Sequence, residues 1–219
     1  MHNSIEKLIQ IEKLVKSKKE SLNLPKQPRI IAVSKTFKLE KILPLIEHGH
    51  LDYGENKVQE AIDKWSEIKL KKPDIKLHLI GKLQTNKVRF AVKLFDYIHS
   101  LDNEKLAKKI ADEQEKQKKK IKLFIQVNIG EEIQKSGLNQ KELENFYFYC
   151  QKLNLDIIGL MCLPPNNVDP VPFFKELKKL NDHLQLSDLS MGMSSDFIEA
   201  VKNSSTFLRI GSNIFGQRS

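Results

Sequence analysis

Apolar positions along this chain follow two alternating rhythms. Ile5, Leu8, Ile9, Leu14 and Val15 recur at helical spacing in the opening segment, the stripe of an amphipathic helix. "RIIAVS" (29–34) is instead a compact β-branched run behind Pro25 and Pro28, and it reads as a strand. Helical spacing returns with Ile42, Leu43, Leu45 and Ile46, and Gly49 stands where a C-terminal cap belongs. A short strand, "HLDYG" (50–54), precedes a stripe of Val58, Ala61, Ile62, Trp65 and Ile68, which makes the lone tryptophan a core residue. Six more strand-like runs follow, at 75–81, 95–100, 121–129, 155–162, 187–191 and 206–211, with helical patterns between them such as Leu143, Phe146, Tyr147 and Cys150.

Strands that are apolar throughout, with helices between them, belong to a parallel sheet covered on both faces. Eight such repeats are the number that closes a TIM-type (β/α)8 barrel. A length of 219 leaves no room for a second folded domain. Residues 1–219 are therefore expected to form one α/β domain, with 1–24 as an extra helix packed on the barrel. A doubly wound open sheet is the alternative. It calls for a glycine-rich turn after the first strand, and "VSKTFK" (33–38) contains no glycine.

Composition adds limits more than direction. Hydrophobic residues make up 40% of the chain and charged ones 30%, enough for one sizeable core. The formal charge of +9 favours anionic partners without choosing among nucleic acid, anionic lipid and a phosphorylated ligand. The lysine runs "KLKKPDIK" (69–76) and "EKQKKKIKL" (115–123) lack the aromatics and arginines of a base-reading surface, so they read as solvated helix ends and loops, and no specific nucleic-acid partner is expected. Cys150 and Cys162 form no C-x-x-C pair and read as small core residues in a reducing compartment. The charged, amphipathic start has no secretory apolar core, and no apolar stretch nears the ~20 residues that a bilayer crossing needs. The expectation is a cytoplasmic protein with no membrane partner.

In a barrel of this type the active face lies at the strand C-termini. Those ends supply Lys35, Gly54-Glu55-Asn56, Gly81, Asn128, Ser190-Met191-Gly192 and Arg209-Ile210-Gly211-Ser212. A single lysine there has a plain reading, a charge that has just emerged into solvent; its companions change the weighing. "LSMGMSSDFIEA" (189–200) passes from a strand through a glycine into a helix start, with Asp196 and Glu199 spaced as a capping box. "RIGSNIFG" (209–216) repeats the small-residue turn one strand later. Backbone N–H groups at such turns suit an anion, and the seventh and eighth strand ends are where this fold commonly holds phosphate. Barrel closure brings the first strand beside the eighth, so an amine meets a phosphate site. That geometry fits a phosphorylated aldehyde, for which pyridoxal 5′-phosphate (PLP) is the obvious candidate. An amine attacks a carbonyl only when deprotonated, and ordinary lysine titrates near ~10.4, so Lys35 needs the partly desolvated pocket that the run Ile30–Val33 offers.

At this point "AVSKTF" (32–37), "YGENKVQE" (53–60), "HLIGKLQTNK" (78–87), "HSLDNEKLA" (99–107), "QVNI" with "KSGL" (126–138), "GLMCLPP" (159–165), "SMGMSSDFIEAV" (190–201) and "STFLRIGSNIFG" (205–216) together carry a resemblance. The chain resembles the PLP homeostasis protein family, also called the proline synthetase co-transcribed group, from its first strand to its C-terminus. The resemblance implies a monomeric or weakly associating barrel like the N-terminal domain of alanine racemase and of eukaryotic ornithine decarboxylase. It implies that Lys35 carries PLP as a Schiff base, that Ser190, Gly211 and Ser212 bind the phosphate with help from the backbone of Met191 and Gly192, and that Arg209 faces the pyridine nitrogen. Asn56, Asn86 and Lys87 match further motif positions near the mouth. Two departures stand out: Lys57 where an aromatic often follows Gly-Glu-Asn, and Ser204 where a glycine precedes Ser-Thr.

Two functions remain open. A guanidinium, donor-only and permanently charged, favours an unprotonated pyridine nitrogen and a weak electron sink. The racemase relatives also draw an opposing base from a second domain, and no tyrosine stands after residue 149. The leading expectation is thus a PLP carrier without turnover, partnered by PLP and by apo PLP-dependent enzymes, and no catalytic residue is assigned. The alternative is a racemase-like enzyme of unknown substrate, with His78 or Lys87 as acid–base groups, although Leu77 and Leu79 make His78 read as a core histidine. No metal is expected: His48 and His50 flank Gly49 as an unconvincing pair, and His2, His99 and His183 lack partners at ligand spacing. Glu55 reads as a first-turn helix residue favoured by the dipole, too far from Glu60 to make a carboxylate pair.

Overall fold

The structure, a computed structural model, describes residues 2–130 and 136–217. Eight parallel strands, β1 (Arg29–Val33), β2 (Asp52–Glu55), β3 (Lys76–Leu79), β4 (Tyr97–Leu101), β5 (Lys122–Gln126), β6 (Asp156–Met161), β7 (Asp188–Ser190) and β8 (Phe207–Ile210), close into a barrel in chain order. The closing ladder runs from Arg29 opposite Phe207 to Ala32 opposite Ile210. Closure excludes the open-sheet alternative.

Around the strands run α1 (Asn3–Ser21), α2 (Leu39–Glu47), α3 (Val58–Lys71), α4 (Val88–Leu94), α5 (Glu104–Gln117), α6 (Leu143–Lys152), α7 (Val171–His183), α8 (Phe197–Lys202) and the single turn α9 (Ser212–Phe215). α1 precedes the first strand and packs against α2, α8 and α9 through Leu8, Ile11 and Val15. No helix among the described residues is long and apolar enough to cross a membrane.

The uniformly apolar strands follow from having two buried faces. Ile30, Ala32, Leu208 and Ile210 join the large core between sheet and helices. Ile31, between two of them, joins Tyr97, Phe124, Met161 and Phe207 in a separate cluster that fills the barrel. The same interior also buries polar side chains, among them His78, His99, Ser190 and Arg209. Trp65, Cys150 and Cys162 are core residues, and burial pushes both thiols up to about 12. In the lysine runs, Lys69 pairs with Asp96 at 2.9 Å and Lys119 donates to the carbonyls of Lys93 and Phe95. Those lysines tie loops together.

Candidate cofactor-binding site

Lys35 stands two residues beyond β1 on a junction held from several sides. The Ser34 amide donates to the Gly54 carbonyl at 2.9 Å, and the Ser34 hydroxyl to Glu55 Oε1 at 2.7 Å. From α3, Lys64 Nζ donates to the Ser34 carbonyl and to Glu55 Oε1, both at 2.9 Å. Thr36, in the left-handed region at φ 68°, donates its amide to Glu60 Oε1 at 2.5 Å. The half-buried Lys35 is thus launched from a fixed backbone. Glu55 has a different place from the one expected. It ends β2, fully buried, and accepts from Ser34, Lys64 and Trp65 Nε1; it is a buried counter-ion beneath the Lys35 loop, and the helix starts three residues later.

A cavity of about 1030 Å³ opens at the C-terminal ends of the strands. Lys35, Lys82 and Arg209 line it, and no Asp or Glu does among the described residues. Asn56 and Gln126 add neutral polar groups, and two turns complete the wall: Met193–Ser195 after β7 and Gly211–Asn213 after β8. Ser194 joins those turns. Its Oγ accepts from the amides of Gly211 and Asn213, each at 3.3 Å, while Asn213 Nδ2 donates to the Ser194 carbonyl at 2.8 Å.

The structure therefore brings Lys35, Asn56, Arg209, Gly211 and Ser212 to one cavity. It sets Ser190, Met191 and Gly192 behind the wall. Ser190 is fully buried, bonded to Arg209 and His99. Met191 is buried, with its amide on the Phe207 carbonyl. Gly192, at φ 91°, is a close-packing point, because a Cβ there would lie 2.5 Å from the Ala200 Cβ of α8. Met193, Ser194 and Ser195, the next three residues, take the wall positions. The expected capping box is also absent: Asp196 Oδ1 accepts from the Met193 amide at 2.6 Å, stiffening that turn, and Glu199 pairs with Lys202.

Arg209 forms the cavity floor and is only 4% exposed. Among the described residues its guanidinium meets neutral acceptors, Ser190 Oγ at 2.7 Å and the Cys162 carbonyl at 2.8 Å. Beneath it lie His99 and His78. Burial lowers both imidazoles; the Asp52 contact raises His78 in part, while His78 and Arg209 lower His99 further, leaving it well below the ordinary value. The unfolded chain would take up these protons near pH ~6.5, and the folded chain resists doing so. Stability is thus full above that pH and falls below it, by up to about 1.4 kcal/mol per pH unit per ring. Urea midpoints measured at about pH 7 and about pH 5 should show this loss; equal midpoints would contradict a neutral buried pair.

The model of the alanine racemase N-terminal domain family matches residues 10–219. A pyridoxal phosphate homeostasis protein of Aquifex aeolicus is 38% identical over 200 residues, 87% of each chain. The chain belongs to the pyridoxal phosphate homeostasis protein family. The human protein of that name is 37% identical over 215 residues, 88% of this chain and 77% of its own. Among solved structures, PipY of Synechococcus elongatus with PLP bound superposes with a TM-score of 0.82 at 34% identity, covering 92% of this chain and all of PipY.

The remaining motif positions among the described residues, Lys57, Asn86, Lys87 and Ser204, do not line the cavity. Asn86 and Lys87 lie on a 3₁₀ turn, Thr85–Lys87, that leads into α4. Lys57 is exposed at the start of α3. Ser204, where the resemblance expects a glycine, precedes β8 at the other end of the barrel and has φ 66°, a conformation that costs a residue with a Cβ about 1 kcal/mol. Lys135 of "KSGL" lies outside the described residues. His48 is exposed, His50 bonds the Asp52 carbonyl, and no group of side chains suited to a metal occurs among the described residues.

Proposed function

We propose that the C-terminal mouth of this barrel binds PLP and that the chain serves PLP homeostasis by holding the cofactor. The observation that carries this reading is the charge of the cavity: three cations and, among the described residues, no carboxylate. PLP supplies an aldehyde, a ring nitrogen that accepts hydrogen bonds, and a phosphate dianion. Lys35 is placed to take the aldehyde, its Nζ forming a C=N bond to the aldehyde carbon while the carbonyl oxygen leaves as water. Arg209 meets the ring nitrogen as a donor. The turns Met193–Ser195 and Gly211–Asn213 are the phosphate wall, where the Gly211 and Asn213 amides that now rest on Ser194 Oγ have an anion to turn to. Ser190, Met191 and Gly192 contribute from behind it, and Asn56 from the rim.

Holding the cofactor is favoured over turnover by where the acid–base candidates lie. His78 is inside the barrel, bonded at both ring nitrogens, and Lys87 is outside the cavity lining. A guanidinium at the ring nitrogen further favours its unprotonated form, which weakens the ring as an electron sink. Apo PLP-dependent enzymes as recipients, a cytoplasmic setting and a monomeric state belong to the same proposal.

Incubation with PLP, borohydride reduction and peptide mapping tests the reading. A single pyridoxyl adduct is expected on the peptide containing Lys35, with complete loss in Lys35→Ala. Adducts elsewhere with Lys35 unmodified would overturn it. Racemisation of an L-amino acid, or keto-acid formation, lost on the same substitution would favour the enzyme reading instead.

A further inference from the structure

One line of hydrogen bonds runs through the barrel. Arg209 Nη1 lies 2.7 Å from Ser190 Oγ, which lies 2.8 Å from His99 Nδ1; His99 Nε2 lies 3.0 Å from His78 Nδ1, and His78 Nε2 lies 2.9 Å from Asp52 Oδ1. Arg29 closes the far end, with Nη2 on Asp52 Oδ1 at 2.6 Å and Nη1 on Tyr97 Oη at 2.8 Å. β8, β7, β4, β3 and β2 thus each place one side chain in single file, from the cavity floor to the opposite mouth.

With both rings neutral, the form their burial favours, the carboxylate end fixes every proton up to the guanidinium. A guanidinium only donates and an ionised carboxylate only accepts. His78 therefore gives Nε2–H to Asp52 and accepts at Nδ1. His99 gives Nε2–H to His78 and accepts at Nδ1, and Ser190 gives its hydroxyl proton to His99 while accepting from Arg209. All four bonds then point the same way. Stacking holds the ring planes: His78 lies on Tyr97 with centroids 4.3 Å apart and an 11° tilt, and His99 on Phe124 at 4.4 Å and 20°. A chain polarised in one direction strengthens its own links, and it joins the buried cation Arg209 to the carboxylate Asp52.

We propose that Ser190, His99 and His78 are positioning residues for Arg209, a polarised relay anchored on Asp52 that sets how the guanidinium meets the ring nitrogen of the bound ligand. The inference rests on the PLP reading of the cavity. It assigns Ser190 a role through Arg209 in place of direct phosphate contact, and it makes Asp52, at the other end of the barrel, part of the cofactor's electrostatic setting.

The test has two readouts. In the 15N-labelled chain without PLP at about pH 7, nitrogen shifts should show His78 and His99 both as neutral Nε2–H tautomers; an imidazolium or an Nδ1–H tautomer at either ring overturns the relay. In PLP titrations, Ser190→Ala should weaken affinity at least tenfold and move the absorption maximum of the bound cofactor, and Ser190→Thr, which keeps the hydroxyl, should restore both in part. Asp52→Asn should move the band in the same direction with a smaller loss of affinity. Wild-type protein that takes up no PLP overturns the reading of the site. Wild-type protein that binds PLP, with Ser190→Ala and Asp52→Asn matching it in affinity and spectrum, overturns the relay alone.

Discussion

Glu55→Ala is expected to lower the unfolding free energy by about 3–5 kcal/mol, the range for removing one partner of a buried ion pair. Glu55 is fully buried and its partner Lys64 has a side chain only 8% exposed. Truncation would leave Lys64 with Glu60 as its remaining carboxylate, would strip the Trp65 Nε1–H of its acceptor, and would leave the Ser34 hydroxyl with only the longer contact to the Gly54 carbonyl at 3.4 Å. The orphaned buried indole donor adds its own cost. All three donors converge on Oε1, and Oε2 meets no partner among the described residues. Glu55→Gln therefore keeps the acceptor through its amide oxygen and should lose clearly less. Glu60→Ala, with a side chain 27% exposed, should cost under about 1 kcal/mol. Urea unfolding at unchanged slope measures all three, and a Glu55→Ala loss no larger than that of Glu60→Ala would refute the buried-pair account. Because Glu55 and Lys64 also clamp Ser34, borohydride trapping of PLP at Lys35 should slow in Glu55→Ala even where the protein stays folded.

The barrel was legible because burial on both faces writes itself into composition. Runs such as "RIIAV" and "FLRI" have no solvated face to satisfy, so eight of them separated by helical stripes leave little choice of architecture. What periodicity does not carry is which polar residue is inside. His78, His99 and Arg209 sit in apolar runs where flanking residues mark the position as buried, yet their mutual bonding depends on a register across five strands. His78 read correctly as a core residue. Its link to His99, Ser190 and Asp52 had no local signal.

The cavity that gathers Lys35 and Arg209 was legible at the ends of β1 and β8, where both residues break apolar runs and barrel closure sets their strands side by side. It was less so after β7. There the strand ends at Ser190, but the chain takes three more residues to reach the cavity wall, so the serine that joins the two turns is Ser194. A second serine four positions on, in "SMGMSS", was the available hint. Glu55 misled for a related reason. A carboxylate shortly before a helix resembles a first-turn residue, and only the packing of α3 against β2 shows that Lys64 and Trp65 converge on it.

Gly159 makes the second large prediction. A Cβ at this position would stand 1.9 Å from the Asp188 carbonyl oxygen, 2.5 Å from its carbon and 3.0 Å from Phe124 Cε1. Neither neighbour is free to retreat, since Gly159 is in register with Phe124 on β5 and with Asp188 on β7. A glycine inside an apolar strand marks such a close approach; here it falls beside a register shift between Leu123 and Phe124. β7 is the weaker side. It has three residues, and its register with β8 is set by the one pair Ser190 and Phe207. Gly159→Ala should therefore pry β7 outward and cost about 3 kcal/mol or more, the upper end of over-packing. The loss should be uneven. Amide exchange should rise first at Cys162, whose N–H rests on the Ser190 carbonyl, and at Met191, whose N–H rests on Phe207. PLP affinity should fall with it, since the Met193–Ser195 turn and the Ser190 contact to Arg209 both depend on β7. A variant that unfolds at the wild-type urea concentration, with protection at Cys162 intact, would show that the strands can part here at little cost.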